Sequence, residues 1–378
     1  MCKTLPWRCA FMIALSKTER KTLAAFLICC MLAVLTGLVF IYAASSVFAL
    51  EKKGDDTFFV KRQLLGVGLG LIGAFILSRI SLRRLKKLAP LLFGLSLLLT
   101  AATRVPGLGV RIHGAARWIR FPGMVLQPSE FLKYAAIIMM AVLLSRYEGI
   151  ERFIVRRYGF MLGILGLSAV ALLLQPDFGM SATIALTGFC LLFIAYPDWR
   201  YVLLLGLAAL PVAGVLVYKE PYRLKRLLVF LDPWADPQGA GFQIIQSLIA
   251  IGSGGVTGLG IGNSRQKFFY LPMQHTDFIF SIIAEEVGLL GSTALIVLFM
   301  MFSFLGMKLA WKLNDAFARY LVLGFTIVTT LQVIINCAVA IGMFPTKGIG
   351  LPFVSYGNSS LVCAIAFLGI IVRASREG

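Results

Sequence analysis

Histidine and acidic side chains are scarce in this 378-residue chain. There are two histidines, His113 and His275, and 17 Asp plus Glu against 36 Lys plus Arg. Two histidines are too few for a histidine-built metal centre. The seven cysteines form no CxxC pair and no other metal-ligand spacing. Charge of either sign amounts to 14%, where a soluble domain carries about a quarter. A string of soluble domains is therefore excluded. Low-complexity tracts, flexible linkers and internal repeats are also lacking, and the last absence counts against a repeat-built transporter. The first apolar run is too long, and too poor in small residues at its end, for a cleavable signal peptide.

What is present is apolar. Hydrophobic residues make up 59% of the chain, and the mean hydropathy is +0.88. Several runs exceed the roughly 18 apolar residues that suggest a membrane-spanning helix. The expected fold is an all-α polytopic membrane protein, a bundle of about ten transmembrane helices. Spans are placed near 23–50, 62–79, 88–103, 131–145, 158–174, 180–196, 201–218, 278–309 and 320–343, with a tenth ending near 372. The expected organisation is a cytoplasmic tail over 1–22, a membrane domain over 23–373 and a short cytoplasmic tail over 374–378. A long extracytoplasmic loop, 219–277, separates spans seven and eight.

The net charge of +19 is accounted for by basic turns near 79–87, 146–157 and 308–319. Ten spans put these turns on the side of both termini, and the positive-inside rule makes that side cytoplasmic. No nucleic-acid partner is implied. An anionic lipid is the more natural partner for cations at membrane level. The opposite face receives loops 104–129, 175–179, 219–277 and 344–358, all rich in Gly, Pro and polar residues, as a site on a rigid bundle would be.

Asp277, in LPMQHTDFIF, stands where span eight begins. A partly desolvated carboxylate there has a raised pKa and suits proton abstraction; an Asp ahead of an apolar run also suits a helix N-cap. Glu285 and Glu286 lie two turns further in, either functional or paired with a buried cation, Lys133 being the candidate. Trp118 is either an interfacial anchor or a flat platform for a sugar. Arg111, Arg117 and Arg120 hold phosphates or line a solvated loop. In QPSEFLK, Ser129 is placed as a cap, and Glu130 and Lys133 share a helical face at i, i+3. Arg223, Lys225, Arg226, Arg265 and Lys267 are outer-face cations that suit an anionic head group, or plain solvation. The run GSGGVTGLGIG matches no phosphate loop and fits backbone folded back at membrane depth, sheltered by protein. In PTKGIGLPFVSYGNSS, Lys347, Ser355, Tyr356, Ser359 and Ser360 line a head-group pocket or form a loop and cap.

The ordered set GAARWI, QPSEFLK, QPDFG, DPWADPQGAGFQIIQSLIAIGSGG, LPMQHTDFIFSIIAEEVG and PTKGIGLPFVSYGNSS resembles the SEDS family (shape, elongation, division and sporulation) over about residues 23–373. These are ten-span membrane glycosyltransferases that include FtsW and RodA. YRLKR, DPWADP, GNSRQK and PTKG look more like the division member than the elongation member. The resemblance implies polymerisation of lipid II, a disaccharide-pentapeptide on undecaprenyl diphosphate, at the division site of the cytoplasmic membrane. It implies a class B penicillin-binding protein transpeptidase and other division proteins as partners. It places the essential aspartate at Asp277, a functional tryptophan at Trp118 and the glutamate–lysine pair at Glu130 and Lys133. The chain departs from the family at Met273 and Gln274, where a Glu is common shortly before HTDF, at Asn358 within SYGNSS, and at Met180 after QPDFG.

A polyprenyl diphosphate leaves as a stable anion and needs no proton, so one base suffices where a glycosidase needs two carboxylates. Asp277 is the expected base. Arg117, Lys133, Arg223, Arg265, Lys267 and Lys347 are the candidate diphosphate-binding cations, with Trp118, Glu130 and Ser355 as further substrate contacts. No cofactor is evident; a divalent cation at the diphosphate is compatible with this chemistry. The rival readings are a lipid II flippase and a non-catalytic division scaffold.

Overall fold

The computed structural model describes residues 17–112, 115–121, 124–148, 154–196, 199–218, 221–239, 241–267, 272 and 274–378. The first sixteen residues of the expected N-terminal tail, His113 and Met273 lie outside them. Among the described residues, ten long helices form the bundle: α1 (Lys17–Lys53), α2 (Phe58–Leu77), α3 (Leu82–Ala102), α4 (Pro128–Tyr147), α5 (Ile154–Leu174), α6 (Phe178–Ala195), α7 (Trp199–Tyr218), α10 (Ile279–Ala310), α11 (Ala316–Ala340) and α12 (Asn358–Glu377). Helices of 18 to 37 residues reach at least about 27 Å at 1.5 Å per residue, enough to cross a bilayer core.

The centre is held by α4 and α11, with 78% and 72% of their most apolar stretches buried, against 17% for peripheral α2. Helix α4 starts on Pro128, with Glu130 in its first turn and Arg146 in its last, charges that suit the helix dipole. Ser129 is not its cap: Gln127 holds that position, and the Ser129 hydroxyl is buried without a partner among the described atoms. Around this centre Phe26, Phe302, Phe325, Phe353 and Phe367 stack and tilt against one another.

Two connections fold further than their sequences announce. The 104–129 loop contains an antiparallel sheet of β1 (Gly109–Ile112), β2 (Ala115–Phe121) and β3 (Met124–Leu126), in that order. Its register pairs Val110 with Trp118, and Ile119 with Leu126. The 219–277 segment is not one open loop. It holds α8 (Pro221–Leu231), a short 3-10 turn at Pro233–Ala235 and α9 (Phe242–Gly254), after which the chain turns back along α10.

That return is re-entrant. Helix α10 is interrupted at Gly288 (φ 65°, ψ −164°), which frees backbone groups on either side. The Glu285 and Glu286 carbonyls accept from Leu259 (3.0 Å) and Gly260 (2.9 Å), and the Leu289 and Leu290 amides donate to Gly255 (2.9 Å) and Val256 (3.2 Å). The tip at 254–260 thus lies about 10–16 Å along α10 from its start. The backbone folded back at depth and sheltered by protein, as the glycine-rich run suggested.

A side chain at Gly288 is strained by its positive φ, and its Cβ would stand 2.6 Å from the Val256 carbonyl oxygen. Gly288→Ala is expected to lower stability by about 2 kcal/mol or more, read as a reduced Tm of the purified protein in detergent. Gly68→Ala, where a Cβ meets nothing within 4 Å, is the control and should keep or raise Tm.

Candidate functional site

The site forms where the residues ahead of α10 meet the 344–357 loop. Four consecutive residues are held by α1, α11, the 344–357 loop and Lys267. The Gln274 amide donates to the carbonyls of Ala44 in α1 (2.8 Å) and Lys267 (3.1 Å). The His275 carbonyl accepts from the Tyr356 amide (2.9 Å), the Thr276 carbonyl from the Ser355 hydroxyl (2.6 Å) and the Asp277 carbonyl from the Asn336 side chain (2.8 Å). Asn336, on α11, also donates to Ile349 (2.8 Å), tying this strap to the loop. The His275 ring packs among Phe48, Phe59 and Tyr356 at 5.9, 4.5 and 5.7 Å. Burial pushes its pKa down to about 4, so it is neutral at pH 7.

Asp277 is therefore fixed by its backbone, and its side chain is free of capping duty. The residue capping α10 is Phe278, with no side-chain hydrogen bond, so the N-cap reading of Asp277 does not hold. The carboxylate is largely withdrawn from water, with the Gly348 backbone against it. A Cβ at Gly348 would lie 3.4 Å from its Oδ2. Burial raises its pKa to about 6; the positive charges of Arg226 and Arg117 oppose the rise, and Asp177 adds to it.

Those neighbours come from three other elements. Arg117, on β2, donates to the carbonyls of Gln175 (3.2 Å) and Pro176 (2.5 Å), with its Nη1 4.0 Å from the Asp177 carboxylate. Asp177 caps α6 by accepting from the Met180 amide (3.2 Å). Burial raises its pKa; Arg117, the Met180 amide and Lys347 pull it down, and Glu130 pushes it up. Lys347 lies 5.0 Å from the centre of the Phe178 ring and 4.8 Å from that of Phe344. Burial lowers its pKa to about 8, while Asp177 raises it. Arg226, on α8, donates to the Thr346 carbonyl (2.7 Å). Asp177 thus lies beside Arg117 and Lys347, and Asp277 near Arg226 and Arg117, a surface suited to an anion.

The remaining sequence candidates fall in different places. Glu130 and Lys133 form a buried ion pair (2.7 Å), and Lys133 also donates to Gln332 (3.3 Å). With exposures of 5% and 0%, they lie behind Asp177 rather than on a surface. Lys133 thus pairs with Glu130, not with Glu285 or Glu286, whose partners lie in the re-entrant hairpin. Ser355 donates to Thr276 and accepts from the Leu351 amide (2.6 Å), a role in holding the strap. Trp118 follows Arg117 on β2, where the register with β1 shifts, and it is partly exposed. Arg265 and Lys267 lie on the return limb of the re-entrant hairpin, where Lys267 donates to the Gly262 carbonyl. Arg223 belongs to α8, one turn before Arg226, and the side chains of Arg223 and Arg111 lie outside the described residues.

Sequence reasoning passed over Asp177 and Asn336 and left Arg226 out of the diphosphate-binding set. QPDFG held the signal for Asp177, an aspartate ahead of an apolar run like Asp277. Asn336 had no signal, being one of several polar residues in a long span. Among the described residues, no group of three or more His, Cys, Asp or Glu side chains gathers as a metal site would.

The chain matches the family model of the FtsW, RodA and SpoVE cell cycle proteins over residues 23–378. It is 42% identical over 340 residues to a probable peptidoglycan glycosyltransferase FtsW from Geobacter sp. (strain M18), covering 90% of this chain and 92% of that one. It is similar, at 32% identity and a TM-score of 0.75, to a solved chain described under structural coordination of polymerization and crosslinking by a peptidoglycan synthase complex. The match covers 97% of this chain and 98% of that one. Rod shape determining protein RodA of Thermus thermophilus matches at 29% identity and a TM-score of 0.68, over 97% of this chain and 99% of that one.

The raised pKa of Asp277 has a consequence for stability. The native group sits near pH 6 and the unfolded one near the ordinary 3.8. Ionising it in the folded state therefore costs stability above pH 6, and the cost vanishes below about pH 4. Asp277→Asn should raise Tm at pH 7.5, by at most about 3 kcal/mol in stability, and the gain should disappear at pH 4. Thermal unfolding in detergent at the two pH values checks this.

Proposed function

From the premise that the chain belongs to the FtsW, RodA and SpoVE family of cell cycle proteins, we propose that it is a peptidoglycan glycosyltransferase of the FtsW type. It polymerises lipid II into glycan strands during cell division. The observation that carries this reading is the backbone-fixed, largely desolvated Asp277, poised near pH 6 beside Arg226 and Arg117. A group with that pKa is ionised at neutral pH and still basic enough to share a proton in a transition state.

Asp277 takes the proton from the 4-hydroxyl of the acceptor GlcNAc. The oxygen attacks C1 of the donor MurNAc, the C1–O bond to the diphosphate breaks, and the configuration inverts. Charge then grows on the departing polyprenyl diphosphate. Arg117, Arg226 and Lys347 are the cations placed to stabilise it, already oriented by carbonyls and aromatic rings. Lys133 acts through Glu130 as a buried support behind Asp177, and Trp118 offers a partly exposed ring on β2 to a bound sugar.

The cytoplasm lies on the side of the termini and the basic turns, so Asp277 faces outward, where the strands are needed. The relative in a peptidoglycan synthase complex supports a class B penicillin-binding protein transpeptidase as partner, with other division proteins around it.

One observation favours a second reading. A helix broken at mid-membrane is a transporter feature, and α10 is broken at Gly288. The groups freed there are satisfied by the 255–260 backbone rather than left facing a pathway, which supports the enzyme over the flippase.

The test is glycan polymerisation on labelled lipid II by the purified protein in complex with its transpeptidase. Wild type should form strands, with kcat/KM rising as pH passes through about 6 and Asp277 loses its proton. Asp277→Asn should fall by about 10³-fold or more, and Arg226→Gln by about 10–100-fold. Equal strands from wild type and Asp277→Asn remove the aspartate from the chemistry. Transport of lipid II by vesicles without any strands moves the reading to the flippase.

A further inference from the structure

Two carboxylates deep in the bundle take no part in that chemistry. Glu285 and Glu286, on α10, are 1% and 0% exposed. Burying a carboxylate is costly unless hydrogen bonds replace its water. The partners of Glu285 come from one short stretch. It accepts from the Ser264 hydroxyl, from the Arg265 amide (2.9 Å) and from the Gln266 amide (3.4 Å). Glu286 accepts from the Ser264 amide (3.4 Å), and the charge of Lys267 faces it. These are three consecutive backbone amides on the return limb of the re-entrant hairpin.

What that limb holds is the strap. The Lys267 carbonyl accepts from Gln274, whose other hydrogen bond reaches Ala44 on α1. The contact joins the limb directly to the residue three before Asp277. A closed mechanical circuit results. Glu285 fixes residues 264–266, Lys267 passes the constraint to Gln274, and residues 274–277 run back into α10 two turns above Glu285. The tip of the same hairpin is locked into the break at Gly288 by four backbone hydrogen bonds.

We infer that Glu285 is a positioning residue for Asp277. Its carboxylate staples the return limb to α10, and the limb holds the strap so that the aspartate stays withdrawn from water between Arg226, Arg117 and Gly348. The inference rests on Asp277 being the base. It makes the sequence AEE in α10 part of the machinery without placing it near substrate.

Glu285→Gln keeps the volume but turns an amide donor toward the Ser264–Gln266 donors, so at least one hydrogen bond is lost and one donor faces another. The experiment is initial-rate polymerisation of labelled lipid II by the transpeptidase complex across pH 5–9, with wild type, Glu285→Gln, Glu285→Asp, Ser264→Ala and Asp277→Asn. For Glu285→Gln, kcat should fall about 10–100-fold while KM stays within about threefold. The acid limb of the profile should move down by about a unit, from about 6 toward the ordinary aspartate value of about 4, because a loosened strap lets water reach the carboxylate. Glu285→Asp, which keeps an acceptor for the amides, should recover part of kcat and of the limb.

A Glu285→Gln enzyme with wild-type kcat and an unmoved limb overturns the inference. So does a loss of kcat with the limb unmoved, which marks a smaller folded fraction rather than a displaced base. If Glu285→Gln does not fold, Ser264→Ala decides the matter, with a kcat loss of about 3–10-fold and the same direction of limb shift expected. Asp277→Asn keeps the two readings apart. If it polymerises as wild type does, the functional reading has failed; if it is silent while the Glu285 variants behave as wild type, only this inference has.

Discussion

Backbone polar groups at membrane depth must find partners inside the protein, because no water is there to supply them. The architecture around the site follows from that constraint. Gly288 breaks α10 within the membrane and frees carbonyls and amides on both sides. Residues 255–260 are drawn in to satisfy them, and doing so requires a backbone able to take positive φ, as Gly255, Gly258 and Gly260 do. Once the tip is anchored, the return limb is pinned alongside α10 and must climb back to its start. Asp277 arrives there on a segment with no regular structure, yet each of its last four residues is tied to a different neighbour. The rigidity of this segment comes from α1, α11 and the 344–357 loop together.

Most of the spans were legible as apolar runs long enough to leave water. The internal form of the loops was not. The β1–β2–β3 sheet hides in RVPGLGVRIHGAARWIRFPGMVL, where Gly and Pro read as breakers and the alternation lasts only a few residues. The re-entrant hairpin hides for a related reason: FQIIQSLIAIGSGG is too short to span, and nothing local says that a short apolar helix enters the membrane and turns. Gly288 gave no warning, since one glycine in an apolar helix is ordinary. Asp277 could be singled out, but whether it capped a helix or faced a cleft depended on where α10 began. The structure starts it at Ile279, with Phe278 as an uncapped boundary. For Glu285 and Glu286 the candidate cation, Lys133, is engaged with Glu130 instead. Sequence offers cations for carboxylates but cannot show that three amides of a distant segment will do the same work.

Electrostatics explains why the cations nearest Asp277 are Arg226 and Arg117 rather than the conspicuous pair in NSRQK. Helix α8 carries its basic residues to the 344–357 loop, where Arg226 is held by Thr346. Lys267, by contrast, is turned inward to the Gly262 carbonyl and to Glu286. Chain proximity to the aspartate was a poor guide, because the return limb spends its length at depth before reaching the strap.

The same geometry bears on the missing acidic residue before HTDF. This chain has Gln274 there, and its amide donates to two carbonyls, those of Ala44 and Lys267. A carboxylate in that orientation would face both carbonyls without a proton to give, so this strap requires a donor at 274. The second carboxylate near Asp277 comes instead from Asp177, on another helix. Asp177 caps α6 and lies beside Arg117, so it is committed to those partners and ill placed to exchange protons with a substrate. Its negative charge nonetheless helps raise the Asp277 pKa. A second carboxylate need not sit next to Asp277 in sequence to shift the pH at which Asp277 ionises.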